Sequence, residues 1–186
     1  MSQLLEDDQK MLLHVAREAV RAYLSGEMPR IPQNFPDVLN EPHALFVSLH
    51  RGSELRGCIG NMNPATPLFR TVADCAISAA VNDPRFTPVS IPELDQLQFE
   101  ISILSPLEPV HGPEDIVVGT HGLLISKHRH KGLLLPQVAS QYRWNSERFL
   151  AETCRKAGLD PDAWREGATI HRFTAQVFTE HKIQAA

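Results

Sequence analysis

The sequence predicts an α+β fold with a mainly antiparallel sheet and flanking helices. Three observations predict it. Short runs of strict apolar–polar alternation recur along the chain, some of these runs face each other across tight turns, and helical-period segments separate them. Prolines add a constraint: twelve of the fourteen fall between Pro29 and Pro113, so the middle of the chain turns often and holds no long helix.

The first helix precedes that region. Met11, Leu12, Val15, Ala16, Ala19, Val20, Tyr23 and Leu24 draw one apolar stripe at helical period. Asp7 or Asp8 is expected to cap its start, and Gly26 to end it. The next segment, Met28 to Pro42, reads as an extended arm. Leu45, Val47 and Leu49 then alternate with Phe46, Ser48 and His50, and Gly52-Ser53 turns the chain into a second strand, Leu55 to Gly60. Thr66 and Pro67 open a helix whose small residues, Ala73, Ala76, Ala79 and Ala80, suit close packing on a sheet, and Asp83-Pro84 stops it.

The clearest strand follows. Leu97, Phe99, Ile101 and Ile103 alternate with Gln98, Glu100, Ser102 and Leu104, which predicts an interior strand with those four residues on one buried face. A second hairpin joins His121–Lys127 to Gly132–Leu135. Asn145 or Ser146 begins a helix with Phe149, Leu150, Cys154 and Ala157 on one side, and Arg172 to Val177 alternates as a last strand. The order hairpin, helix, strand occurs twice, a hint of internal duplication without any matching residue pattern.

At 186 residues and 20.8 kDa, the chain is read as one domain spanning 1–186, or at most two closely packed lobes. Hydrophobic residues at 42% and charged residues at 22% exclude a disordered chain. The net charge of -4 lacks the basic excess of a phosphate-neutralising protein and counts against nucleic acid as a partner. Cys58, Cys75 and Cys154 have no short spacing, which argues against a disulfide framework, a zinc knuckle or any cysteine-bound metal. The N-terminus is acidic where a signal peptide would be basic, and no run reaches the length of a membrane span, so a cytoplasmic protein without membrane contact is expected. Phosphate-loop, dinucleotide, HExxH and GxSxG patterns are absent, as is CxxxCxxC, and no cofactor is expected.

Five ordered stretches carry a resemblance. They are Leu55-Arg56-Gly57-Cys58-Ile59-Gly60, Asp83-Pro84-Arg85-Phe86, Glu100 to Pro106, Gly119 to Leu123, and Leu134 to Ala139. The chain resembles the AMMECR family, whose prokaryotic members are called AmmeMemoRadiSam system protein A. The resemblance covers the chain from the first helix to the last strand. It implies a compact AMMECR-like α+β fold and association with a Memo-like protein and a radical SAM protein, and it brings no reaction with it.

Cys58 is the best chemical candidate. It lies between Gly57 and Gly60, where a missing side chain admits a ligand or a second backbone, and Arg56 is a cation of the kind that activates a thiol. The bland alternative is a small buried hydrophobe, the reading given to Cys75 and Cys154. His121, between Thr120 and Gly122, is a candidate general base for Cys58 or else the cap of a turn. Arg85 suits a substrate carboxylate or a pair with Asp83, and Gln137 a polar ligand or a helix start. His128 and His130 flank Arg129 in a turn and read as solvated.

Register supplies the remaining candidates. A two-residue loop at Gly52-Ser53 would pair Ser48 with Gly57, whereas a three-residue loop, Gly52 to Glu54, sets Cys58 opposite Ser48 and Arg56 opposite His50. The second register keeps like with like: Leu55 and Ile59 join Leu45, Val47 and Leu49, while Ser48, His50, Arg56 and Cys58 share a polar face. The leading expectation is a pocket or docking surface around the Arg56–Gly60 strand. Its alternatives are a stand-alone cysteine-dependent enzyme acting on a small molecule, and a non-catalytic regulator that binds protein or RNA.

Overall fold

The computed structural model describes residues 4–32 and 34–180; Met1 to Gln3 of the acidic N-terminal segment lie outside them. The described residues divide into two compact units, one running to Ile103 and resuming at Gln176, the other Leu104–Ala175. The first holds helices α1 (Glu6–Ser25), α2 (Asp37–Asn40), α3 (Leu68–Val81) and α4 (Ile91–Leu94). Its sheet is built from β1 (Leu45–Arg51), β2 (Glu54–Asn61) and β3 (Gln98–Leu104), and the second unit carries β4 (Glu108–Pro109), β5 (Gly122–Lys127), β6 (His130–Leu134), helices α5 (Pro136–Gln141) and α6 (Ser146–Lys156), and β7 (Thr169–Phe173). A final strand, β8 (Ala175–Thr179), completes the first sheet in the order β2-β1-β3-β8.

Helix α1 forms where its apolar stripe predicts, and Leu12, Val15, Ala16, Ala19 and Val20 are buried. Its start is capped from inside: Asp8 reaches back to accept the N–H of Leu5 at 3.2 Å. Gly26 ends it in the left-handed region at φ 68°. Strand β3 pairs with β1 and neighbours β8, so it is interior, and Leu97, Phe99, Ile101 and Ile103 are buried as expected. They pack with Leu45, Val47 and Leu49 and with Val72, Ala76 and Ala79 of α3 into one core. Among its described residues the arm from Met28 to Pro42 is irregular apart from the single turn α2.

The alternation Arg172–Val177 is not one strand. It breaks at Thr174 into β7 and β8, which belong to different sheets. Thr174 donates its N–H to the Ser105 hydroxyl, and the Ser105 N–H donates to the Thr174 carbonyl, both at 2.9 Å. Alternation alone could not reveal this, because side-chain period is blind to which sheet a strand joins.

In the second unit the order is β4-β7-β5-β6, and β5 pairs antiparallel with both neighbours. Leu123, Ile125, Phe149, Leu150, Cys154 and Ile170 form its core. The sequence β5-β6-α6-β7 repeats the order β1-β2-α3-β3, so the hinted duplication exists at the level of topology. Among the described residues no helix is long and apolar enough to cross a membrane.

Candidate functional site

The β1–β2 hairpin departs from both registers considered above. Its loop has two residues, with Arg51 opposite Glu54 and His50 opposite Leu55, yet Ser48 still lies opposite Cys58. The two facts are reconciled by an irregularity between Leu49 and His50, which leaves Arg56 as the extra, unpaired residue of β2. The bulge predicted for the loop thus sits inside the strand. Gly52, at φ 61°, suffices for the turn. Two expectations are corrected: Arg56 is not opposite His50, and Leu55, 38% exposed, does not join the apolar face. Ile59, opposite Val47, does pack against the core.

Gly57 fixes how closely β2 approaches α3. A Cβ there would lie 2.1 Å from the carbonyl oxygen of Ala79, so only glycine allows the contact. The adjacent Cys58 therefore faces away from α3 and is half-buried. Across the strand pair, the hydroxyl of the buried Ser48 donates to its Sγ at 3.2 Å.

β2 is an edge strand, and its outer edge is closed by side chains. The Cys58 N–H donates to Oδ2 of Asp83 at 2.9 Å, and the Cys58 carbonyl accepts from Nη2 of Arg85 at 3.3 Å. Arg85 in turn grips Asp83 through Nε at 2.9 Å and Nη2 at 2.6 Å, and its own N–H donates to Oδ1. The Arg85 guanidinium holds the Asp83 carboxyl far below the usual carboxylate range, with the amides of Cys58 and Arg85 adding to that and burial opposing it. Arg85 is held in its charged form by Asp83 first, and the Cys58 thiol contributes less. The cation that meets Cys58 is thus Arg85.

Arg56 serves a neighbouring cleft. It binds Glu93 through Nε at 2.6 Å and Nη2 at 3.1 Å, and Arg51 approaches the same carboxylate at 3.8 Å. Those cations, Arg56 first, hold Glu93 below its ordinary range. With Ser90 and Thr87 the three side chains line an open polar cleft of about 460 Å³. Phe86 links the two clusters: the Arg85 and Arg56 guanidinium carbons lie 5.4 and 5.9 Å from its ring centroid.

The other candidates fall as follows. His50 is half-buried, and its Nε2 has no hydrogen-bond partner. His121 belongs to the second unit, where its Nδ1 accepts the N–H of Val117 at 3.0 Å and closes a turn. Burial, with Arg172 nearby, pushes its pKa down. Gln137 is exposed in the first turn of α5. Cys75 and Cys154 are buried core residues, as read from the sequence. Among the described residues no group of three or more His, Cys, Asp or Glu is placed to hold a metal. Sequence reasoning missed Glu93 altogether, for its partner lies 37 positions away and no periodicity connects them.

Known proteins are similar to this chain over nearly its whole length. A protein of Methanothermobacter thermautotrophicus is 43% identical over 185 residues, covering 95% of this chain and 96% of its own. Protein MJ0810 of Methanocaldococcus jannaschii is 42% identical over 189 residues, covering 97% and 94%. The crystal structure of the uncharacterized protein PH0010 from Pyrococcus horikoshii superposes with a TM-score of 0.89 at 41% identity, covering 95% of this chain and 93% of that one. The AMMECR1 family model matches residues 13–178, from within α1 to within β8. The chain belongs to the AMMECR1 family.

Proposed function

We propose that this protein is a cytoplasmic component that works with a Memo-like protein and a radical SAM protein, and that strand Arg56–Gly60 with its Asp83–Arg85 clamp is the surface it presents to them. One observation carries the reading. Two of the sequence motifs, separated by more than twenty positions, converge on Cys58: Asp83 and Arg85 bind both of its backbone polar groups, and the residue is left half-buried. Ordinary packing of a core cysteine requires no such clamp; Cys75 and Cys154 lie among apolar side chains. The polar cleft next to it, with two arginines on one carboxylate, adds a positively charged rim suited to an acidic partner group.

The test is affinity capture with the tagged chain from its native host, in parallel with Cys58→Ala and Arg85→Gln variants. The reading expects a Memo-like and a radical SAM protein to be recovered with the unaltered chain and depleted in both variants. Recovery of neither, or equal recovery by all three, contradicts it. The Ser48-to-Cys58 hydrogen bond and the Arg85 guanidinium on the Cys58 carbonyl support a second reading, a cysteine-dependent enzyme for a small anionic molecule. Substrate-dependent protection of Cys58 from alkylation by a small-molecule extract, without any protein partner, would select it.

A further inference from the structure

The second unit carries a separate cleft of about 500 Å³ between the end of α5 and the last turns of α6. Its floor is apolar, from Leu134 and Val138. One wall is a pair of stacked rings: Tyr142 and Trp144 lie 5.0 Å apart between centroids and 15° from parallel. Trp144 leans on the core of its unit, whereas Tyr142 is 63% exposed, so an aromatic face is turned to solvent on top of a supported one.

The backbone is strained to hold these rings. Arg143, between them, adopts φ 55°, a conformation that normally selects glycine. Its N–H donates to the Ser140 carbonyl at 3.1 Å and that of Trp144 to Ala139 at 2.9 Å, a complete helix-ending motif built without glycine. Strain held at a surface aromatic pair is a pointer to a ligand site.

The opposite wall is cationic. Glu152 is bound by Arg148 at 2.6 Å and by Arg155 at 2.5 Å, so two cations share one carboxylate. Arg155 uses only Nη1 for that pair, and Lys156 has no carboxylate partner among the described residues. Both residues sit in the last turn of α6, where they also oppose the helix dipole. A planar ring on Tyr142 would share the cleft with these two cations, Lys156 without a carboxylate partner among the described residues and Arg155 engaged by Glu152 through Nη1.

We propose that this cleft binds a free mononucleotide, with the base stacked on Tyr142 and the phosphate held by Arg155 and Lys156. Both halves of the ligand are needed by the chemistry: the aromatic wall rewards a π face, and the cationic wall rewards a phosphate. The whole-chain charge of -4 is no obstacle, since the potential at one phosphate is set locally. It does select a free nucleotide over a strand. Arg155 and Lys156 set against Glu152 leave the cleft a small cationic excess, which suits one phosphate and not the run of phosphates that gives a strand its affinity.

The chain has two tryptophans, so Trp164→Phe leaves Trp144 as the only indole and its fluorescence reports the site. AMP is titrated against adenosine, inorganic phosphate and an adenylate hexanucleotide, with the Trp144 indole N–H resonance of the unaltered chain as a second readout. Saturable quenching by AMP is expected, with adenosine about tenfold weaker and with weakening as salt rises. Tyr142→Ala should weaken AMP by about tenfold or more while Tyr142→Phe preserves binding, as stacking demands. The proposal is overturned by any of four results. These are no saturable response to AMP in either readout, AMP affinity unchanged in Tyr142→Ala or matched by adenosine, and binding of the hexanucleotide alone.

Discussion

Asp83 accepts the backbone N–H of Cys58 at 2.9 Å, across 25 positions of sequence, and by doing so closes the open edge of β2. In an antiparallel ladder both polar groups of a residue point the same way, and those of Cys58 point outward, to Asp83 and Arg85. Ser48 and Cys58 therefore form a pair of the kind whose side chains lie closest, which accounts for the hydroxyl–sulfur contact. Edge closure and thiol placement are one arrangement.

Removing the carboxylate should expose that edge. Asp83→Ala is expected to lose about 2–3 kcal/mol, since it breaks charge-assisted bonds to one guanidinium and two amides and leaves buried donors unmet. Urea denaturation measures the loss. Light scattering at rising concentration should show self-association of the variant through the freed edge of β2.

The acid limb of stability follows from the same pair. Asp83 and Glu93 both have carboxyls lowered in the folded protein, so each adds stability that is fully present above its unfolded pKa and disappears as pH falls through the folded one. With unfolded carboxyls near about 4, the loss begins below roughly pH 4 and for Asp83 continues to strongly acidic pH. Urea midpoints at neutral pH and at about pH 3 should converge in Asp83→Asn relative to the unaltered chain. Parallel pH slopes for the two would show that the clamp does not tune the carboxyl.

Gly57→Ala should be among the most damaging single-methyl changes in the first unit. The added carbon meets backbone rather than a flexible side chain, at 2.1 Å from the Ala79 oxygen, so β2 or α3 must shift. A loss at or above the upper end of the usual ~1–3 kcal/mol for overpacking is expected. Gly52→Ala keeps open space and gives up only the left-handed turn, so it should cost about 1 kcal/mol.

The alternation of Leu97 to Ile103 carried the interior strand, and the stripe of α1 and the Asn145 cap of α6 were equally readable, because local period and cap chemistry decide them. The hairpin was readable only in part. Matching apolar faces correctly set Cys58 opposite Ser48, but the same logic moved Leu55 into the core, because a bulge at Arg56 changes face in mid-strand and leaves no mark in the pattern. At the site, Cys58 and Arg85 were legible from their motifs. The pair of Arg85 with Asp83 was readable too, being two positions apart, whereas the link from Asp83 to Cys58 and the Arg56–Glu93 pair are tertiary and had no local signal. The division into two units was equally hidden, since no linker composition marks residue 104.

Arg143→Gly tests the strain in the second unit. Relief of the left-handed conformation at φ 55° is expected to stabilise the chain by about 0.5–1 kcal/mol, seen as a higher urea midpoint at unchanged slope.

The central claim is that Cys58 is an accessible thiol in a built site while the other two cysteines are core. Site-resolved alkylation of the native protein, read by peptide mass spectrometry from pH 7 to 9, tests it most directly. Burial pushes the Cys75 thiol up to about 11 and raises that of Cys154 as well, which disfavours the thiolate in both, and both are enclosed. Cys58 is expected to label at least about tenfold faster than either, since its side chain is half-buried on an edge strand while theirs are enclosed in the core. Labelling of Cys58 no faster than of Cys75 and Cys154 would contradict the account and return Cys58 to the core.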